Sequence, residues 1–114
     1  MVRIYHNPRC SKSRATLQLL KDRGVHPEVI EYLDQPPSAA TLRGLLGKLG
    51  LEARQLLRKG EPEYHDLGLA DNSLTQDQLI QAMIDHPRLM ERPIVVSGAG
   101  ARIGRPPESV LEIL

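Results

Sequence analysis

The stretch Val2-Arg3-Ile4-Tyr5-His6-Asn7-Pro8-Arg9-Cys10-Ser11-Lys12-Ser13-Arg14 decides the fold. Val2 and Ile4 alternate with Arg3 and Tyr5, the period of a strand, and His6-Asn7-Pro8 breaks that period into a tight turn. From Ser11 to Asp22 helix formers follow, with apolar residues at Ala15 and Leu19 and at Leu17 and Leu20, and Gly24 is a C-terminal stop. After Pro27, residues Val29, Ile30 and Tyr32 read as a second short strand. Strand, helix and strand in such close succession make a βαβ unit, right-handed in nearly every known case, with its two strands parallel. The turn carrying Cys10 therefore opens at the carboxyl ends of the strands, where open α/β sheets bind ligands.

Outward from this unit the pattern turns helical. Ser38 can cap a helix in which Leu42, Leu45, Leu46 and Leu49 share one face before Gly50 ends it. Leu51 to Leu57 reads as a short second piece, broken by Lys59-Gly60-Glu61-Pro62. Thr75 and Gln78 form a capping box for a further helix carrying Leu79, Ile80, Met83 and Ile84 and closed by Pro87. Ile94-Val95-Val96 and Ala101-Arg102-Ile103 flank Ser97-Gly98-Ala99-Gly100 as a hairpin, and Pro106-Pro107 starts a last helix carrying Val110, Leu111 and Leu114. The order β-α-β, helices, β-β-α is that of a thioredoxin/glutaredoxin-like α/β fold with a helical insertion at about residues 38–86. The order alone is also met by a generic α/β sandwich.

With 114 residues the chain is expected to form a single domain, residues 1–114. Leu, Ile and Val supply 31 of those residues, well above the roughly 20% below which chains stay disordered. With no Trp, no Phe and three Tyr, it has no aromatic platform for stacking single-stranded nucleic acid. A net charge of +1, with both signs interleaved, gives no broad field for nucleic acid or an anionic membrane. No apolar run reaches the ~18 residues of a membrane span, and the start lacks a signal region, so a cytoplasmic protein is expected. Cys10, the lone cysteine, forbids an internal disulfide and fits a reducing compartment.

Cys10 lies between the end of a strand and the start of a helix. The unpaired N–H groups and positive dipole end there stabilise a thiolate, and Arg9, Lys12, Arg14 and His6 add positive charge nearby. Its thiol is therefore expected below the free value of about 8.5. A lone cysteine is more often an inert buried hydrophobe, but a Pro-x-Cys turn crowded with cations is a poor place to bury one. Where a dithiol motif would carry a resolving cysteine, this chain has Ser13, so only a monothiol mechanism is open to it. His26, His65 and His86 have no metal-ligand spacing, and no phosphate-cradling glycine loop is present.

Tyr5-His6-Asn7-Pro8 leading into Cys10-Ser11-Lys12-Ser13-Arg14 resembles the nucleophile loop of the glutaredoxin-coupled arsenate reductases, the ArsC family. Leu56-Leu57-Arg58-Lys59, Asp77-Gln78-Leu79-Ile80, Arg92-Pro93-Ile94-Val95-Val96 and Arg105-Pro106 recur in the same order, so the resemblance runs from Val2 to Leu114. It implies that Cys10 attacks arsenate, that Arg58, Arg92 and Arg105 bind the oxyanion, and that His6 helps activate the thiolate. Guanidinium forks suit a tetrahedral oxyanion, although each arginine taken singly could be a solvated surface cation.

The resemblance further implies a cis peptide at Arg92-Pro93, glutathione as co-substrate, a glutaredoxin as partner, no bound cofactor and a role in arsenical resistance. A monomer is expected. Gly104, a cysteine in some relatives, removes any second thiol there. Two other readings stay open: a glutathione-dependent thiol reductase of another substrate, and a redox regulator that binds RNA polymerase, as other members of the wider superfamily do. Those regulators usually carry Cys-x-x-Cys, and Ser13 argues against that class.

Overall fold

The computed structural model describes all residues, 1–114. They form two compact units, one of residues 1–35 and 92–114, the other of residues 36–91.

The first unit begins with β1 (Arg3–Tyr5), α1 (Ser11–Asp22) and β2 (Glu28–Ile30), and ends with β3 (Ile94–Ser97), β4 (Gly100–Ile103) and a 3-10 helix at Pro107–Ile113. The sheet order is β2-β1-β3-β4. β1 pairs parallel with β2, Ile4 opposite Val29, and antiparallel with β3, Ile4 opposite Val95. β3 and β4 form the hairpin, with Ser97 opposite Gly100. The apolar alternation of β1 turns Ile4 into a core completed by Leu20 of α1, Val95 of β3, and Val110 and Ile113 of the terminal helix. That core fixes α1 against the sheet, and with it the position of Cys10 at the helix start.

Two segments depart from the sequence expectation. β2 stops at Ile30, and Tyr32 lies beyond it in a turn, fully buried, so an aromatic read as a strand residue serves the core instead. The last segment is 3-10 and not α-helical, with Ser109 N–H donating to Pro106 O and Leu114 N–H to Leu111 O, and Leu114 is exposed. A 3-10 segment turns every three residues, so the apolar set spaced for an α-helix cannot all face one side.

The second unit holds α2 (Ala39–Leu49), α3 (Ala53–Leu56), α4 (Pro62–Asp66) and α5 (Gln76–Asp85). The Ser38 side chain accepts from Thr41 N–H at the start of α2, Gly50 ends that helix in a left-handed conformation, and the Thr75–Gln78 capping box starts α5. α2 and α3 pack on α5, and Leu42, Leu45, Leu46, Leu56, Ile80 and Met83 on these helices are buried. α4 is an addition to the sequence reading: Pro62 does not merely break the chain but occupies the first turn of a new helix, where its missing N–H costs nothing. No helix is long and apolar enough to cross a membrane.

Candidate active site

In the first unit the chain leaves β1 through His6 and Asn7, both buried, and turns over Pro8 and Arg9 into α1. Asn7 builds that turn: its Oδ1 accepts from Arg9 N–H at 3.0 Å, and its carbonyl from Cys10 N–H at 3.0 Å. Cys10 is the N-cap of α1, in an extended conformation, with no side-chain cap of its own. The N–H groups of the first turn, left without intrahelical partners, therefore face its sulfur.

Partial burial raises the thiol pKa, but the Ser13 N–H, the Arg92 side chain and the Lys12 N–H outweigh it, and the net shift is downward. The lowering expected from the sequence is present, and the helix-start N–H groups contribute to it as expected, but the cation differs. Arg9 and Lys12 project from exposed positions, where solvent screens their charge, and Arg14 donates to Pro8 O at 3.0 Å instead. Arg92, from a distant part of the chain, does what the local cations were expected to do.

His6 does not supply charge to the thiolate. Burial lowers its pKa, so the ring is neutral at pH 7, and its Nδ1 lies 2.6 Å from Ser13 Oγ. Ser13, itself fully buried, also accepts from Asn7 N–H at 3.0 Å. The sequence reading treated Ser13 only as an absent thiol and missed this role. The signal was a small polar residue one turn into the helix, facing a turn with unpaired donors.

Arg92 and Arg105 meet in this unit. Arg105 Nε donates to Arg92 O at 2.8 Å, and its Nη2 lies 3.5 Å from Cys10 Sγ. Both are followed by cis peptides, Arg92-Pro93 as the resemblance implied and Arg105-Pro106 in addition. Gly104, between β4 and Arg105, donates to Pro93 O at 2.9 Å, and a Cβ there would run into the Thr16 side chain and come 2.8 Å from Pro93 Cγ. Glycine thus allows the Arg105 segment to pack directly on Pro93 and α1.

Arg58 belongs to the second unit. A short antiparallel bridge joins Leu57 to Met90, with Arg58 N–H donating to Leu89 O at 2.7 Å and Glu91 N–H to Leu56 O at 2.9 Å. This bridge brings the Arg58 guanidinium to Glu91 at 3.2 Å, and Glu61 lies 3.5 Å from its Nε.

A family model described as the ArsC family matches residues 5–113. The Escherichia coli K12 protein YfgD is 64% identical over 114 residues, 99% of this chain and 96% of its own. An arsenate reductase from Neisseria meningitidis serogroup A is 47% identical over 114 residues, covering 99% of this chain and 97% of its own. A solved arsenate reductase from Vibrio cholerae matches with a TM-score of 0.97 at 54% identity, over 99% of this chain and 97% of that one. Motif order, mixed four-stranded sheet and these similarities agree: the chain has a thioredoxin-like α/β fold and belongs to the ArsC family.

Proposed function

We propose that this protein is an arsenate reductase that uses glutathione and a glutaredoxin as its source of electrons. The observation that carries this reading is the Cys10 thiol at the start of α1, lowered in pKa and 3.5 Å from the Arg105 guanidinium. A thiolate beside an arginine fork is a nucleophile that tolerates an incoming anion, because the cation offsets the repulsion between the two.

In this reading Arg92 and Arg105 hold the arsenate oxygens while the Cys10 sulfur bonds to arsenic, and one oxygen leaves as water. Arg58 is the third oxyanion ligand, as the family resemblance implies. His6 acts through Ser13 by fixing the loop, not by charge. A glutathione thiolate then attacks the Cys10 sulfur: an S–S bond forms, the S–As bond breaks, and its electron pair reduces As(V) to arsenite. Glutaredoxin removes glutathione from Cys10 and closes the cycle. The protein would work as a monomer in the cytoplasm, without a bound cofactor.

The test couples the purified protein to glutathione, glutaredoxin, glutathione reductase and NADPH. NADPH oxidation that requires both arsenate and Cys10 is expected; oxidation indifferent to arsenate would remove the reading.

A further inference from the structure

A cavity of about 240 Å³ lies against the nucleophile loop, within the first unit. Its walls are residues 6–9 of the loop, and Glu31, Leu33 and Asp34 from the segment after β2. Three of these carry charge, and they are of both signs. Arg9, Glu31 and Asp34 are exposed, and none of their side chains takes part in an ion pair or hydrogen bond. Elsewhere in the unit opposite charges find each other, as Arg3 does with Glu28 at 2.8 Å and Arg102 with Glu112 at 3.0 Å. Here one guanidinium and two carboxylates surround a concavity without closing on one another.

Such a set suits a ligand that carries both signs at one end: a carboxylate for the Arg9 fork and an ammonium for Glu31 and Asp34. The volume is below the roughly 300–1,000 Å³ of pockets that enclose drug-sized molecules, so an amino-acid head group fits better than a whole peptide. The wall ends at Arg9, the residue before Cys10, so a ligand seated there lies beside the nucleophile's own turn. The chain owns one thiol and needs a second from outside for a two-electron reduction.

We infer that this cavity is the docking site of the thiol co-substrate, and that it holds the zwitterionic γ-glutamyl head of glutathione between Arg9 and the Glu31–Asp34 pair. The inference rests on the proposed use of an external thiol. It adds a binding site whose lining contains none of the oxyanion arginines.

Its test needs no arsenate. The full chain, labelled with ¹⁵N, is titrated with S-methylglutathione, which cannot react. Saturable shifts centred on His6, Arg9, Glu31 and Asp34 are expected, with at least ten-fold weaker binding of the N-acetylated analogue, whose ammonium is gone. In parallel, the Cys10 thiolate is allowed to attack glutathione disulfide, forming Cys10–S–S–glutathione and releasing one glutathione thiolate, with the product read by mass spectrometry. The double variant Glu31→Gln with Asp34→Asn should slow this reaction about ten-fold, and the reaction with uncharged hydroxyethyl disulfide by two-fold or less. Shifts located elsewhere, equal binding of the acetylated analogue, or an equal slowing with both disulfides would overturn the assignment. Free glutamate binding as tightly as S-methylglutathione would overturn it too, by making the cavity a general amino-acid site. If the site binds glutathione while NADPH oxidation ignores arsenate, the arsenate reading falls and the thiol site stands.

Discussion

The Oγ of Ser13, one turn into α1, lies 2.6 Å from Nδ1 of His6 at the end of β1, and the same oxygen accepts the Asn7 N–H at 3.0 Å. One hydroxyl therefore joins both ends of the turn that carries Cys10. Ser13→Ala leaves a ring nitrogen and a backbone N–H buried without this partner, which costs about 1–3 kcal/mol per group. Urea unfolding should show that loss. Because Ser13 N–H lowers the Cys10 pKa, loosening the turn should also move the iodoacetamide alkylation midpoint upward. An unchanged midpoint in a destabilised Ser13→Ala would show that the hydroxyl serves stability alone.

His6 gives the fold a dependence on pH. Burial holds its folded pKa below the unfolded value of about 6.5, so between those two values the unfolded chain binds more protons than the native one. Its contribution to stability is fully present above about pH 6.5 and is lost as pH falls toward the folded pKa. Replacing it by an uncharged side chain, His6→Gln, should flatten that part of the curve. Unfolding free energies measured from pH 7.5 down to 5 check this, and identical slopes for both proteins would refute it.

Much of the architecture was legible because its signals are local. Ser38, Thr75 with Gln78, and Gly50 mark helix ends through their own backbone chemistry, and the structure puts α2 and α5 at those bounds. α4 and the terminal 3-10 helix were not legible, since Pro62 and Pro106-Pro107 fit a break, an α-helix start or a tighter turn equally well until tertiary packing chooses. The candidate site divides in the same way. Cys10 at a helix start follows from the order of elements, whereas the influence of Arg92 on its thiol depends on a contact between residues 82 positions apart, which no local pattern encodes.

Arg92 and Arg105 should differ in their effects on the thiol. The Arg92 side chain lowers the Cys10 pKa by hydrogen bond and charge, so Arg92→Ala should raise the alkylation midpoint toward that of an ordinary cysteine. Arg105 Nη2 lies 3.5 Å from the sulfur, and its role in the proposed reaction is the fork it offers an oxyanion. Arg105→Lys keeps the charge and loses the fork, so it should hold the midpoint near wild type while the KM for arsenate rises several-fold. Equal midpoints for Arg92→Ala and wild type would contradict the first expectation.

Arg58 should matter more to turnover than to folding. Its pairs with Glu61 and Glu91 are partly exposed, and such pairs contribute at most about 1 kcal/mol. Arg58→Ala should therefore shift the urea midpoint little while lowering kcat/KM for arsenate by ten-fold or more, and Arg58→Lys should recover only part of that. A loss of activity no larger than the loss of stability would take Arg58 out of the oxyanion site.

The number of thiols in the chain limits what it can do without a partner. Reduction of As(V) to As(III) takes two electrons, which two thiols supply by forming one disulfide, and this chain has only Cys10. Ser13 is bonded to His6 and Asn7 where a resolving thiol would sit, and Gly104 has no room for a side chain without displacing Thr16 or Pro93. In the proposed reaction the protein alone would form the thiolate–arsenate adduct and no more. Arsenite should therefore be absent when arsenate is the only addition, appear when glutathione and glutaredoxin are supplied, and respond little to a thioredoxin system. Cys10→Ser should be inactive with every donor, because a hydroxyl is a far weaker nucleophile than a thiolate at neutral pH. Separation of arsenite from arsenate by ion chromatography reads all four conditions, and arsenite formed by Cys10→Ser, or by wild type without added thiol, would refute the single-thiol mechanism.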